Sequence, residues 1–258
     1  MADFDNRVSP FGAARAETGV IDQGLRSHML QVYNYMAIGL MITGAAALGV
    51  FKLAVTNDPS MAVGQMANGL MLTSLGKTIY TGPLMWVLML APVGLVFWLS
   101  FGIHKMSTAK AQAVFWGYSA LMGISLSSIF AVYTAQSITQ VFFISAATFG
   151  AMSLYGYTTK RDLTGMGSFL FMGLIGIIIA SIVNIFIGSS ALGFAISILG
   201  VLIFVGLTAY DTQKIKEMYY VGDDSTVAGR KAIMGALTLY LDFINLFLMM
   251  LRLFGDRR

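Results

Sequence analysis

The stretch IMGALTLYLDFINLFLMML, Ile233 to Leu251, decides how the chain is read. It carries one charge, Asp242, at its midpoint. A helix needs about 20 mainly apolar residues to cross a bilayer, so this is a transmembrane span with a carboxylate in its middle. Insertion scales put a central aspartate at roughly 2.5 to 3.5 kcal/mol unfavourable, a cost that a partner, water or a function has to offset. Asn245, three residues on, lies on the same helix face.

The same measure applied outward finds six more spans. Met29 to Phe51 is one, and Thr78 to Ile103 a second, with Pro83 near its start and Pro92 inside, where it predicts a kink. Ala111 to Thr159 is free of charge and too long for one helix, and the polar cluster from Tyr133 to Gln140 divides it in two. Leu163 to Tyr210 repeats the arrangement, with Gly188, Ser189 and Ser190 as the break. The predicted spans are 29–52, 83–103, 112–133, 138–158, 168–187, 191–212 and 232–252. Asn57 to Lys77 joins the first two as an interfacial helix or loop, without a hidden soluble domain.

Composition agrees with this count. Of the 258 residues 57% are hydrophobic and 11% charged, where a soluble domain carries about 25% charged. With no cysteine, disulfides, thiolate nucleophiles, zinc ribbons and iron–sulfur clusters are excluded. The net charge of +4 comes from basic residues in the gaps between apolar runs, which points to membrane orientation and away from nucleic acid.

Residues 1–28 contain Asp3, Asp5, Arg7, Arg15, Glu17, Asp22 and Arg26 and no apolar h-region, so they read as a solvated, mobile cytoplasmic tail and not as a signal peptide. With the N-terminus inside, the inner side holds Arg7, Arg15, Arg26, Lys105, Lys110, Lys160, Arg161, Lys214, Lys216, Arg230 and Lys231, 11 of the 16 basic residues. Three of the other five, Arg252, Arg257 and Arg258, follow the last span. That segment either crosses fully or dips in and returns, and seven full crossings is the expectation.

Two motifs carry a resemblance. Tyr155-Gly156-Tyr157-Thr158-Thr159-Lys160-Arg161-Asp162-Leu163 resembles the Gly-Tyr-Thr-Lys-Asp-Leu-type signature of the Bax inhibitor family of membrane proteins. Phe204 to Gln213, containing Thr208-Ala209-Tyr210-Asp211, looks like its second hallmark, and Leu239 to Leu251 is similar to its last helix. The likeness covers nearly everything after residue 28 and is closest to the bacterial branch. It implies an all-α bundle of seven transmembrane helices, six in two layers around a central seventh. It also implies that Asp211 and Asp242 meet near the cytoplasmic side. In characterised relatives that pair is linked to a pH-dependent calcium leak; other bacterial relatives are associated with a membrane-bound AAA protease, and eukaryotic ones with suppression of cell death.

Asp211 lies near the end of the sixth span, before Lys214 and Lys216. If that helix runs to Tyr220 with Gly222 as its C-cap, and Asp223, Asp224 or Ser225 caps the seventh, the carboxylates stand roughly 14 Å and roughly 24 Å from the turn at 1.5 Å per residue. Tilt or a kink closes a mismatch of under two turns. Two carboxylates in a low dielectric do not both ionise cheaply and titrate as a unit, which makes a proton sensor. Their oxygens also suit a hard cation such as Ca²⁺, with backbone carbonyls, Asn245 or water completing the shell. The blander alternatives are an Asp211–Lys214 helix-end pair and a structural hydrogen bond at Asp242.

Some relatives place a basic residue on the second helix near the pair. Here that helix has none, and His104 and Lys105 at its inner end are the auxiliary candidates. The small residues Ser119, Gly123 and Ser127, and Gly176 with Ala180, mark close helix packing, read as within the chain. An intramembrane aspartyl protease would use the same split pair of carboxyls, but the Gly-x-Gly-Asp context and the Pro-Ala-Leu motif are missing. For a rhomboid-type serine protease, Leu126 replaces the second glycine after Ser125.

The expectations are therefore a multi-pass protein of the inner membrane with a cytoplasmic N-terminus, not an enzyme, without a cofactor. Its expected activity is a pH-sensitive cation leak, for Ca²⁺ as permeant or bound ion, gated by Asp211 and Asp242. The alternative is an interaction protein that modulates a membrane AAA protease through residues 1–28. Beyond the bilayer no other partner is implied.

Overall fold

The computed structural model describes residues 10–258, with side chains from Gln23 onward except that of His104. Of the mobile tail expected over residues 1–28, residues 1–9 lie outside the described residues, as does the orientation of His104, while from Pro10 onward that segment is helical. Seven helices are long and apolar enough to cross a membrane. Helix α1 (Pro10–Ala54) enters the first span without a break. A short connection follows, and then α2 (Ser74–Tyr80) and α3 (Leu84–Gly102), which stays helical through Pro92. Next come α4 (Thr108–Leu126) with the single turn α5 (Ile129–Val132), α6 (Ala135–Thr158), α7 (Thr164–Ile187), α8 (Ser190–Glu217) and α9 (Ser225–Phe254).

Side-chain caps set most of the helix starts. Ser107, Thr134 and Ser189 accept from the backbone N–H three residues on, and Asp224 from those of Thr226 and Val227. Each satisfies donors that the first turn leaves without an intrahelical partner. Gly188 ends α7 in a left-handed conformation, φ 67°, and donates to Asn184 O, which a glycine does at no steric cost.

Three local expectations are corrected. The connection between the first two spans, expected as an interfacial helix or loop over 57–77, holds besides α2 a small antiparallel sheet of β1 (Val55–Thr56, just before it), β2 (Gly64–Gln65) and β3 (Met71–Leu72), in the order β1-β3-β2. The predicted 112–133 span is interrupted at Ser127 and Ser128. At the break Ser127 Oγ donates to Ile124 O (2.7 Å) and accepts from Tyr80 Oη (3.2 Å), and Asn68 Nδ2 donates to Ala131 O (2.7 Å) at the end of α5. Irregular backbone at the membrane edge is tolerable on those terms. Finally, α8 ends at Glu217 with Met218 as its cap, short of Tyr220 and Gly222.

The last segment crosses fully. Thr134 N donates to Asp256 O (3.0 Å) and Arg258 N to Val132 O (2.9 Å), and Asp256 N to Ser137 Oγ (2.9 Å). The C-terminus is thus bound to the turn before α6, at the opposite end of the bundle from the 159–163 and 218–224 connections.

At the centre stands α9. Within its most apolar window 67% of residues are buried inside the protein, against 6% for α7 and no more than 33% for any other span. It packs on α1, α4, α6 and α8. Helix association in lipid lacks a hydrophobic drive and relies on close packing and interhelical hydrogen bonds, and both are present. A Cβ on Gly123 would overlap Thr43 O of α1, so the small-residue face of α4 is an intrachain contact. Gly176 has open space around it, so the packing read for Gly176 and Ala180 is not made at that glycine.

Candidate functional site

The pair α8–α9 is antiparallel, and its register can be followed through contacts. A Cβ on Gly235 would touch Ile215, and one on Gly200 would touch Met249. Between these levels Asp211 and Asp242 come together as neighbouring, interacting carboxyl groups.

The offset is larger than the sequence arithmetic gave. From the observed ends, Asp211 is roughly 9 Å inside α8 and Asp242 roughly 26 Å inside α9. No kink closes that difference. The first turns of α9 extend beyond the end of α8, where Thr108 Oγ1 donates to Thr226 O (3.4 Å) and Lys231 pairs with Asp223. Both aspartates therefore stand toward the 159–163 end of the bundle.

Asp242 is 5% exposed, and its Oδ2 has no hydrogen-bond partner. Two neighbouring carboxylates in a low dielectric do not both ionise cheaply. The pair lies on the wall of a cleft of about 880 Å³ among α3, α7, α8 and α9. Val93, Val96 and Phe97 of α3 face it from one side, and Gly167, Ser168 and Phe171 of α7 from another.

Asn245 lines the same cleft, as predicted from its place one turn after Asp242. Its Nδ2 donates to Leu241 O (2.9 Å). Lys105 is exposed in the turn after α3 and does not line the cleft. Lys214, weighed only as a helix-end partner, does line it, with its Nζ 5.8 Å from the centre of the Tyr210 ring. Tyr210 and Thr238 were missed. For Thr238 the signal was present, four residues before Asp242 on the same helix face; for Tyr210, adjacent to Asp211, spacing gave none.

The two motifs hold the site from behind. A Cβ on Gly156 would overlap the carbonyl oxygen of Ala209, so α6 and α8 touch backbone to backbone there. Gln213 Oε1 accepts from Leu163 N and its Nε2 donates to Arg161 O, both at 2.8 Å. Lys216 Nζ donates to Tyr157 O (2.9 Å), and the hydroxyls of Ser153 and Thr212 bond at 2.9 Å. Each motif is thus one half of a joint that fixes α8 two residues from Asp211. The rotation of α9 is set separately. Tyr240, fully buried, hydrogen-bonds Thr43 Oγ1 (2.7 Å) and meets Phe115 and Tyr118 edge-on.

As a cation site the cleft is sparse. Among the described residues no group of three or more histidines or acids comes together, whereas Ca²⁺ takes six to eight oxygens. Two carboxyl groups and one amide oxygen suit an ion that keeps part of its water.

The chain is similar to known bacterial membrane proteins over almost its whole length. It is 48% identical to the inner membrane protein YbhL of Escherichia coli K12 over 243 residues, 91% of this chain and 94% of that one. Protein RP147 of Rickettsia prowazekii is 47% identical over 237 residues, 92% of each. A Caulobacter vibrioides protein is 44% identical over the full length of both. Residues 25–258 match the family model described as inhibitor of apoptosis-promoting Bax1. With both motifs at one joint and the aspartates paired beside it, the chain belongs to the Bax inhibitor family.

Proposed function

We propose that this is a pH-sensitive cation leak of the inner membrane, with its N-terminus in the cytoplasm and Asp211 and Asp242 as proton sensor and ion contact. The observation that carries this reading is the pair of carboxyls on the wall of one membrane cleft, Asp211 half-buried and Asp242 buried with its Oδ2 unpartnered. Intramembrane acids are costly and mark ion or proton pathways. A proton shared by two carboxyls and a hard cation compete for the same oxygens, so the leak responds to pH through one site. Ca²⁺ is the cation assigned, on the oxygen chemistry and on the family likeness. The inner-membrane location rests on the similarity to YbhL, and the orientation on the distribution of basic residues.

The test is Ca²⁺ flux into dye-loaded proteoliposomes between pH 6 and pH 8, for wild type, Asp211→Asn and Asp242→Asn. The expected result is a pH-dependent flux whose dependence flattens in both variants. No flux above empty liposomes at any pH overturns the leak and moves the weight to an interaction protein acting on a membrane protease, which loss of residues 1–22 would then weaken.

A further inference from the structure

On the side of α9 away from the aspartates, α1 and α6 both pack along the central helix but not along each other. The gap between them is an open groove of about 850 Å³. Leu30, Met36, Ala146, Phe149 and Gly150 line it, and Phe243 of α9 lies at its base. Its walls run from Arg26 to Leu40 on α1 and from Phe142 to Tyr157 on α6, each roughly 21 to 23 Å of helix. One leaflet of a hydrocarbon core accounts for roughly 15 Å. The groove therefore covers the depth of one leaflet and reaches the headgroup region at its Arg26–Tyr157 end, where the 159–163 connection emerges.

Shape and charge select the occupant. The lining is mainly apolar and runs lengthwise between the two helices, which suits an alkyl chain. The hydroxyls inside are already paired, Tyr33 Oη with Ser153 Oγ at 2.7 Å, and among the described residues no acidic one lines the groove. At the mouth Arg26 is exposed and has no partner among the described residues. Lys216 stands behind Tyr157, with its Nζ 5.5 Å from the ring centre. An apolar slot of one-leaflet depth with the Arg26 cation at its headgroup end is complementary to an acyl chain that ends in a phosphate.

We propose that the groove between α1 and α6 binds an anionic phospholipid, one acyl chain lying on Phe149 and Phe243 and the phosphate at Arg26. The chain then rests on the residue next to Asp242, on the opposite side of the helix from the cleft.

The test uses the full-length protein in detergent, incubated with equal amounts of phosphatidylglycerol and phosphatidylcholine of matched chains, with bound lipid read by native mass spectrometry. A Cβ on Gly150 meets nothing within 4 Å, so Gly150→Leu fills the groove without a clash, and Ala146→Leu is a second filler. Gly44 on α1 is equally open but does not line the groove, and Gly44→Leu is the control. Wild type is expected to retain phosphatidylglycerol in preference, Gly44→Leu to match it, and both fillers to lower bound lipid about tenfold. Arg26→Gln is expected to keep a bound lipid but reduce the preference about fivefold, the factor equivalent to about 1 kcal/mol per basic residue at a membrane surface. Wild-type retention in both fillers, no headgroup preference in the wild type, or displacement by inorganic phosphate alone overturns the proposal. A dimer that both fillers abolish overturns it too, and gives the groove to a second copy of the chain.

Discussion

Two gaps flank the central helix, and they are nearly equal in size: about 850 Å³ between α1 and α6, and about 880 Å³ among α3, α7, α8 and α9. One meets α9 at Phe243 and the other at Asp242 and Asn245. Consecutive helical residues point about 100° apart, so a single step along α9 changes the chemistry from aromatic to acidic. Helices arranged about a central one leave space wherever two neighbours miss each other. What that space can do is then decided by the residue the central helix presents to it. The apolar gap suits a lipid chain, and the acidic one suits a proton and a cation.

The comparison breaks most completely if α8 loses its seat. Gly156→Val places a branched side chain against the Ala209 carbonyl, where backbone cannot yield as a flexible side chain does. Overpacking of this kind costs about 3 kcal/mol. Both gaps should lose their shape together, because α6 walls the groove and α8 carries Asp211. Unfolding in mixed micelles measures the loss, and a wild-type stability would show that the joint made by the two motifs is not tight.

Tyr240→Phe is a gentler change that sharpens the comparison. It removes the bond to Thr43 Oγ1, while that hydroxyl keeps carbonyl acceptors at Gly39 and Ser119, both at 2.9 Å. Interhelical bonds of this kind contribute about 0.6 kcal/mol in membrane proteins, and a loss near that value is expected. The more telling readout is α9's rotation: a probe cysteine at Phe243 should become less protected on the groove side. Unchanged protection would mean that the aromatic contacts with Phe115 and Tyr118 alone fix the helix.

Much of this was legible in the sequence, for identifiable reasons. Spans announce themselves because lipid tolerates almost no charge, and the one charge it tolerated, Asp242, pointed to the site. Gly188 and Asp224 were readable because a helix end has a short list of chemistries. The sheet of β1, β2 and β3 was not, since strands of two residues carry no alternation. Neither was the break at Ser127, which depends on Tyr80 and Asn68, both distant in sequence. The α8–α9 register depends on how the 218–224 connection places the start of α9, and no periodicity encodes that. The groove left no signal because it arises from the spacing of two helices, α1 and α6, joined by the Tyr33–Ser153 hydrogen bond.

The smallest expected effect tests the cleft's far wall alone. Asp162, in the first motif, accepts from Thr164 N (2.8 Å) at the start of α7, and these hydrogen bonds hold its exposed carboxyl below the usual aspartate range. A group whose folded pKa is depressed stabilises fully above its unfolded value, about 3.9 for aspartate, and loses that contribution as pH falls through the folded value. Wild type should therefore exceed Asp162→Asn in thermal midpoint at neutral pH, and the difference should shrink as the solution is taken below about pH 4. Since α7 walls the cleft and not the groove, lipid retention should be the same in both proteins across that range. A midpoint difference that persists unchanged in acid would assign the effect of the substitution to shape and not to charge. A loss of lipid together with the midpoint would mean that the two gaps do not respond separately, and that the central helix transmits a change at one to the other.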